Sequence, residues 1–191
     1  MRGDFHDIGK NLVKMMMEGK GLEVIEAVRL FGVSPAQVTV VVHRESIIHS
    51  AVEYIDNAVI AELSHPDMRE CVQYALTYPA RLPAVIEPLD LFSVGTLTFR
   101  HPDTETFPLL ALARSAIASG GAVPAVLNAA NEVAVASFLS HGLSFPGIAE
   151  VVGETVERLR GAAAGARTVD GIFAFDAEAR TVAEQVKGGK L

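Results

Sequence analysis

VTVVVHRESIIHSAVEYIDNAVIAELSHPDMR, residues 38–69, is the stretch on which the fold turns. Val38, Val40 and Val42 alternate with Thr39, Val41 and His43, which is the period of a strand. Asp56-Asn57 separates two further apolar runs, 51–55 and 58–63. Both residues tolerate positive φ, so a two-residue hairpin turn is expected. That register pairs Tyr54 with Val59 and Val52 with Ala61 on an apolar face. Glu53 with Ile60 and Ala51 with Glu62 make the other face mixed. The hairpin is therefore expected to have one core face and one that is solvated or meets a partner. Polar corners lie at both ends, 43–49 and 65–69.

The 191 residues suit one large domain or two small ones. The net charge of −7 argues against nucleic acid or an anionic membrane as a main partner. The single Cys71 cannot form an internal disulfide, which points to a reducing cytoplasm. No apolar run approaches the roughly 20 residues needed to span a bilayer. The first ten residues, MRGDFHDIGK, carry charges where a signal peptide needs its apolar run.

Ile8, Leu12, Met15 and Met16 fall at helical spacing, so residues 7–18 are predicted to form an amphipathic helix stopped by Gly19. An Asp two residues before a His, as in Asp4-Phe5-His6, can fix the tautomer of a metal-ligating histidine. GDFHDIGKNLVKMMMEGKG, residues 3–21, resembles the cobalt-ligating segment of corrinoid-binding methyltransferase modules, with the likeness covering residues 1–25. That resemblance implies a corrinoid held through His6. The plainer reading is a helix-capping Asp4 and a surface His6. The Ser- and Gly-Gly-containing loops of such modules do not follow in this chain.

In GKGLEVIEAVRLFG, residues 19–32, Val24, Ala27, Val28 and Phe31 make one apolar helix face, and Gly32 ends it. Lys20 and Glu23 are three apart and share a face. On spacing alone, Glu23 complements the helix dipole and Lys20 is solvated. A phosphate-binding lysine beside a metal-ligating carboxylate is the functional alternative.

Further on, residues 69–77 are predicted helical, closed by Tyr78-Pro79, and a proline-punctuated connection leads to an extended 97–99. Arg69 and Arg81 read as structural or solvated charges. Leu109, Leu110, Ala113 and Ile117 form a helical stripe, and Leu127, Ala130, Ala134 and Phe138 form the next. Ile148, Val151, Val152, Thr155, Val156 and Leu159 make a third. Asp176 is expected to cap a fourth helix over 177–186. Four amphipathic helices with short loops make a small bundle. Asn128, Asn131 and Glu132 read as polar groups joining that bundle to its neighbour.

GKGLEVIEAVRLFGV (19–33), VVVHRESIIHS (40–50), AELSHPDMR (61–69), EPLDLFSVGTLTF (87–99) and LNAANEVAVASFL (127–139) follow one another in this order. Together they resemble the 1-deoxy-D-xylulose 5-phosphate reductoisomerase family, over residues 19–186. The resemblance implies an NADPH-dependent, Mg²⁺- or Mn²⁺-dependent enzyme of non-mevalonate isoprenoid synthesis. Its product is 2-C-methyl-D-erythritol 4-phosphate. It further implies that Lys20 binds the substrate phosphate and that Glu23 ligates the metal and contacts substrate. His49 matches a histidine near the active site, and Met68 a methionine that packs near the nicotinamide. His43 and Ser46 read as strand-end structural groups. The family's asparagine before the lysine is Gly19 here. Its Asp-Ser-Ala-Thr segment is replaced by Val13-Lys14-Met15-Met16.

Gly19-Lys20-Gly21 lacks the later glycine of a dinucleotide fingerprint and is not expected to follow a strand within a βαβ unit. A lone carboxylate cannot hold a six-coordinate metal well. The expectation is therefore α+β: a small, mostly antiparallel sheet with covering helices, then a C-terminal helical bundle. The parts are a leader helix over 1–18, a partial catalytic and dimerisation domain over 19–102, and the bundle over 103–191. The chain is expected to be a cytoplasmic fragment without the NADPH domain, inactive alone and binding no cofactor tightly. Non-catalytic dimerisation as a homodimer is the second expectation, and a corrinoid carrier through His6 the third.

Overall fold

The computed structural model describes residues 11–16 and 22–189. The chain divides into two compact units, Met1–Glu18 with Ala36–Pro102, and Gly19–Pro35 with Asp103–Leu191.

The first unit carries a four-stranded sheet in the order β2-β1-β3-β4, with β1 Asn11–Met16, β2 Val38–Val42, β3 Ile48–Glu53 and β4 Val59–Leu63. β1 runs parallel to β2, with Leu12 opposite Val38, and antiparallel to β3, with Leu12 opposite Val52. β3 and β4 are antiparallel. Two of the three pairings are thus antiparallel, and the α+β expectation with a mostly antiparallel sheet holds. Among the strand residues whose burial is described, Val38, Val40 and Ala51 are buried.

The helix predicted over 7–18 is corrected: residues 11–16 are a strand at the centre of the sheet. Ladder bonds to two neighbours outweigh the helical spacing of Leu12, Met15 and Met16. Strand β1 does precede the Gly-Lys-Gly stretch, which itself lies outside the described residues, and β2 runs parallel to β1. The intervening helix α1, Leu22–Phe31, groups with the second unit.

The hairpin forms where expected, one residue out of register. Glu53 faces Val59 and Ala51 faces Ala61. The loop has three residues, because Tyr54 N–H donates to Ala58 O at 2.8 Å and Asn57 N–H to Tyr54 O at 2.9 Å. Asn57 closes it at φ 66°, the left-handed position of a three-residue hairpin loop. Shifting a strand by one residue changes which side chains share a face. Val59 and Ile60, neighbours on opposite faces of β4, are 59% and 63% exposed, and among the described residues β4 is an edge strand.

After β4, α2 spans Met68–Thr77 and α3 spans Leu91–Val94, each capped by an aspartate, Asp67 and Asp90. Arg100 then pairs with Val42 through two backbone bonds of 2.9 Å.

The second unit is helical: α1 with α4 Leu109–Ser119, α5 Val123–Leu139, α6 Phe145–Ala163 and α7 Val169–Gly188. Val123, Val126, Leu127 and Ala130 of α5 meet Val151, Val152 and Val156 of α6 and Ala179 and Ala183 of α7 in one core. Small residues let these helices approach closely, while the valines and leucines supply the apolar burial. The bundle is as predicted, with one boundary moved. α7 starts eight residues earlier than expected because the Thr168 hydroxyl caps it, accepting from Gly171 N–H at 3.1 Å. Asp176 is an interior residue that accepts from Arg180 at 2.9 Å. In α1, Val24, Ala27 and Val28 are buried, whereas Phe31 at the helix end is exposed.

Candidate functional site

His49 owes its placement to an irregularity in β3. Ile48 lies opposite Leu63 and Ser50 opposite Glu62, so β3 carries one residue more than β4 between these pairs. The extra residue is His49. Such a bulge re-aims a side chain that regular pleating would hold in line. The ring leans toward the partner strand, with Nδ1 3.2 Å from Glu62 Oε2 and 3.4 Å from the Ser64 hydroxyl. A carboxylate only accepts, so Nδ1 carries a proton and donates to Glu62; in the neutral ring Nε2 is then the acceptor. Both side chains are part-exposed, so the pair orients the ring more than it stabilises the fold.

Ser64 is buried, and its N–H donates to Ile47 O at 3.0 Å. Three residues on, the helix α2 begins. Asp67 accepts from Arg69 N–H at 3.0 Å and from the Arg69 guanidinium. The Arg69 hydrogen bonds hold its carboxyl down at about 2. Met68, the first residue of α2, is 72% exposed. Of the sequence-predicted residues, His49 and Met68 both lie in the first unit, at the start of β3 and just after β4.

Lys20 and His6 lie outside the described residues, and so does the side chain of Glu23, whose backbone is in α1. Among the described residues no group of three His, Cys, Asp or Glu could hold a metal ion. Magnesium takes six oxygen ligands, so Glu23 could supply only part of a site, and the residues described do not fit a complete one.

Sequence reasoning missed Glu62 and Ser64. Their approach to His49 depends on the bulged register, which no local spacing signals. The contacts of Asn128 and Glu132 join helices of the bundle to one another, not, as expected, the bundle to its neighbour: Asn128 donates to Glu132 at 2.9 Å, and Glu132 accepts from Arg180 of α7 at 2.7 Å.

Beside the hairpin end, residues 63–89 enclose a groove of about 250 Å³. Arg81 stacks over Tyr74 at 3.8 Å, and one buried oxygen of Glu70 has no hydrogen-bond partner among the described residues. Neither His49 nor Met68 lines it.

Residues 63–182 match the family of the DXP reductoisomerase C-terminal domain. The chain is 48% identical to the 1-deoxy-D-xylulose 5-phosphate reductoisomerase of Pseudomonas paraeruginosa over 169 residues, 88% of this chain and 42% of that protein. It is 50% identical to the enzyme of Aromatoleum aromaticum over 167 residues, 87% of this chain and 41% of that one. The Zymomonas mobilis enzyme, solved with NADPH, aligns with a TM-score of 0.88 and 32% identity, over 98% of this chain and 57% of that chain. A DOX-P reductoisomerase solved with magnesium aligns at 0.89 and 30% identity, over 97% and 56%. The chain spans about two fifths of the length of the curated relatives it matches. No helix among the described residues is long and apolar enough to cross a membrane.

Proposed function

The chain belongs to the DXP reductoisomerase family, and on that premise we propose that it supplies part of a reductoisomerase site. The whole reaction converts 1-deoxy-D-xylulose 5-phosphate to 2-C-methyl-D-erythritol 4-phosphate with NADPH, in the cytoplasm. Lys20 is assigned to the substrate phosphate, as a point charge. Glu23 is assigned as one oxygen ligand of a magnesium or manganese ion that also contacts substrate. Met68 is assigned to the nicotinamide face and His49 to the reacting end. The bound metal would polarise substrate oxygens and NADPH would supply the hydride.

The observation that carries this reading is the bulge. It takes His49 out of the regular ladder and sets Nδ1 against Glu62, so that in the neutral ring Nε2 would be the acceptor for a ligand hydroxyl or water. Exposed Met68 supplies an apolar contact surface in the same unit. The remaining metal ligands and the NADPH-binding parts must come from residues other than those described.

Grafting residues 19–186 into the matching region of the Pseudomonas paraeruginosa relative tests the reading. The hybrid is expected to oxidise NADPH with substrate and Mn²⁺, and Lys20→Ala and Glu23→Gln to remove that activity. The 191-residue polypeptide alone is expected to stay at background. An inactive but folded hybrid would overturn the assignment.

A second reading, a homodimerisation module, is favoured by one observation. Among the described residues β4 is an edge strand without a second strand neighbour, and it exposes Val59 and Ile60. Such an edge pairs readily with another strand. A parent that sediments as a dimer and an Ile60→Lys variant that sediments as a monomer are expected; a strictly monomeric parent excludes it.

A further inference from the structure

His43 is 2% exposed, at the corner between β2 and β3, and the reductoisomerase reading gives it no part. Its ring nitrogens face opposite kinds of partner. Nε2 accepts from Ile47 N–H at 3.2 Å. Nδ1 lies 2.9 Å from Thr98 O and 3.0 Å from Glu45 Oε2. An N–H donor on one side and two oxygen acceptors on the other admit one neutral tautomer, with the proton on Nδ1. Glu45 is itself tied to Thr98, accepting from its hydroxyl at 2.6 Å and its N–H at 3.2 Å. Phe99 stacks on the imidazole at 5.0 Å. The corner is tight: Ser46 sits at φ 51° and donates to His43 O at 3.3 Å.

This bond is one end of a short chain of contacts. Ile47, held at its N–H by His43, accepts at its carbonyl from Ser64 N–H at 3.0 Å. Ser64 Oγ is 3.4 Å from His49 Nδ1. His49 follows Ile47 by two residues and is the extra residue of the bulge. A bulged residue has no ladder bond to hold it, so its placement depends on what fixes the chain on either side. Ile48 faces Leu63 on one side and Ser50 faces Glu62 on the other, and the His43–Ile47–Ser64 contacts close the open end.

We propose that His43 is the positioning residue of His49: by accepting from Ile47 N–H it clamps the entry to β3 and keeps Ser64 and Glu62 around the His49 ring. Loss of the acceptor leaves a buried N–H unpaired, and the corner opens toward solvent to satisfy it. His49 then loses its fixed tautomer, although no atom of His43 touches it. The functional weight of the proposal rests on His49 being a site histidine; the coupling between the two histidines does not.

The test compares the parent chain with His43→Leu, which removes the acceptor, and His43→Gln, which can place a carbonyl oxygen near the former Nε2. The ring ¹⁵N shifts of His49 are read by NMR at about pH 8, where an ordinary imidazole is neutral. In the parent and in His43→Gln, the two ring nitrogens of His49 are expected to stay widely separated, as a fixed Nδ1–H tautomer requires. In His43→Leu they are expected to move toward a common average. Exchange at the Ile47 amide is expected to speed up about tenfold in His43→Leu and to be largely restored in His43→Gln. The Tyr54 and Asn57 amides at the far end of the hairpin serve as the control and stay unchanged. Unchanged His49 shifts in His43→Leu overturn the proposal, and so does equal loss in His43→Gln. If the leucine variant does not fold, His43→Asn, whose shorter carbonyl stops short of Ile47, takes its place in the same contrast. An inactive hybrid enzyme with an intact His49 ring pattern would count against the site assignment and leave this coupling standing.

Discussion

Glu132 on α5 and Arg180 on α7 meet at 2.7 Å, joining two helices of the bundle across 48 residues of sequence. Arg180 also holds Asp176, and Asn128 donates to the second oxygen of Glu132. Hydrogen bonds from Arg180 first, and then from Asn128, pull the Glu132 carboxyl below the ordinary glutamate range. A lowered folded-state value means stability that is present above the unfolded value of 4.5 and fades as pH falls through the folded one. Because the side chains are about half exposed, Glu132→Gln is expected to cost only about 0.2–1 kcal/mol at neutral pH. Denaturant melts of parent and variant at pH 7 and pH 3 check this, with the gap narrowing at the lower pH.

Thr155 is wholly buried in α6, and its hydroxyl has no hydrogen-bond partner among the described residues. A buried unpaired hydroxyl carries its desolvation cost without return. Thr155→Val keeps the shape and exchanges the hydroxyl for a methyl. It is expected to stabilise the bundle by about 1 kcal/mol, read as an upward shift of the thermal midpoint. Thr155→Ser, which keeps the hydroxyl and loses a methyl, is expected to destabilise.

Asn57 closes the β3–β4 loop in the left-handed region, where a β-branched side chain is strained. Asn57→Val is expected to cost about 1–2 kcal/mol. Asn57→Gly is expected to leave stability nearly unchanged. The two melting curves, measured side by side, decide it.

Asp67 anchors the start of α2 by accepting from Arg69 N–H and guanidinium. Its carboxyl is held at about 2, chiefly by the Arg69 side chain. The anchor is therefore fully present above the unfolded value of 3.8 and is lost as pH falls through about 2. Asp67→Ala is expected to speed amide exchange at Arg69 and Glu70 at neutral pH. In the parent the same amides are expected to lose protection only at the acidic end of a titration.

The helices of the bundle were legible because their apolar residues recur at a helical period over many turns. Ala113, Ala130, Val152 and Val156 lie where that period puts them. The beginning of α7 was not, since Thr168 and Asp176 are both good caps and only packing chooses between them. The hairpin was legible in place but not in register. Two- and three-residue loops differ by whether Asn57 is a turn residue or the left-handed closing residue, and the sequence suits both. Residues 11–16 read as a helix because their spacing is ambiguous over so short a run. Partners on β2 and β3, distant in sequence, decided the outcome. The candidate site shows the same divide. His49 and Met68 come from the family resemblance of the motifs around them. The parts of Glu62 and Ser64 follow from a bulge, and that of His43 from Thr98, 55 residues away.

Sheet order gives β1 a standing out of proportion to its six residues. β2 and β3 are bonded to it on either side and not to each other. Removing it would leave a slot of strand width, lined by donors and acceptors from both walls. A polypeptide beginning at residue 22 would then behave as an acceptor awaiting an insert. A short synthetic peptide of the β1 sequence could dock in it, or the same segment from another molecule could be exchanged into it. The two halves of such a split protein would report on one another by reassembly.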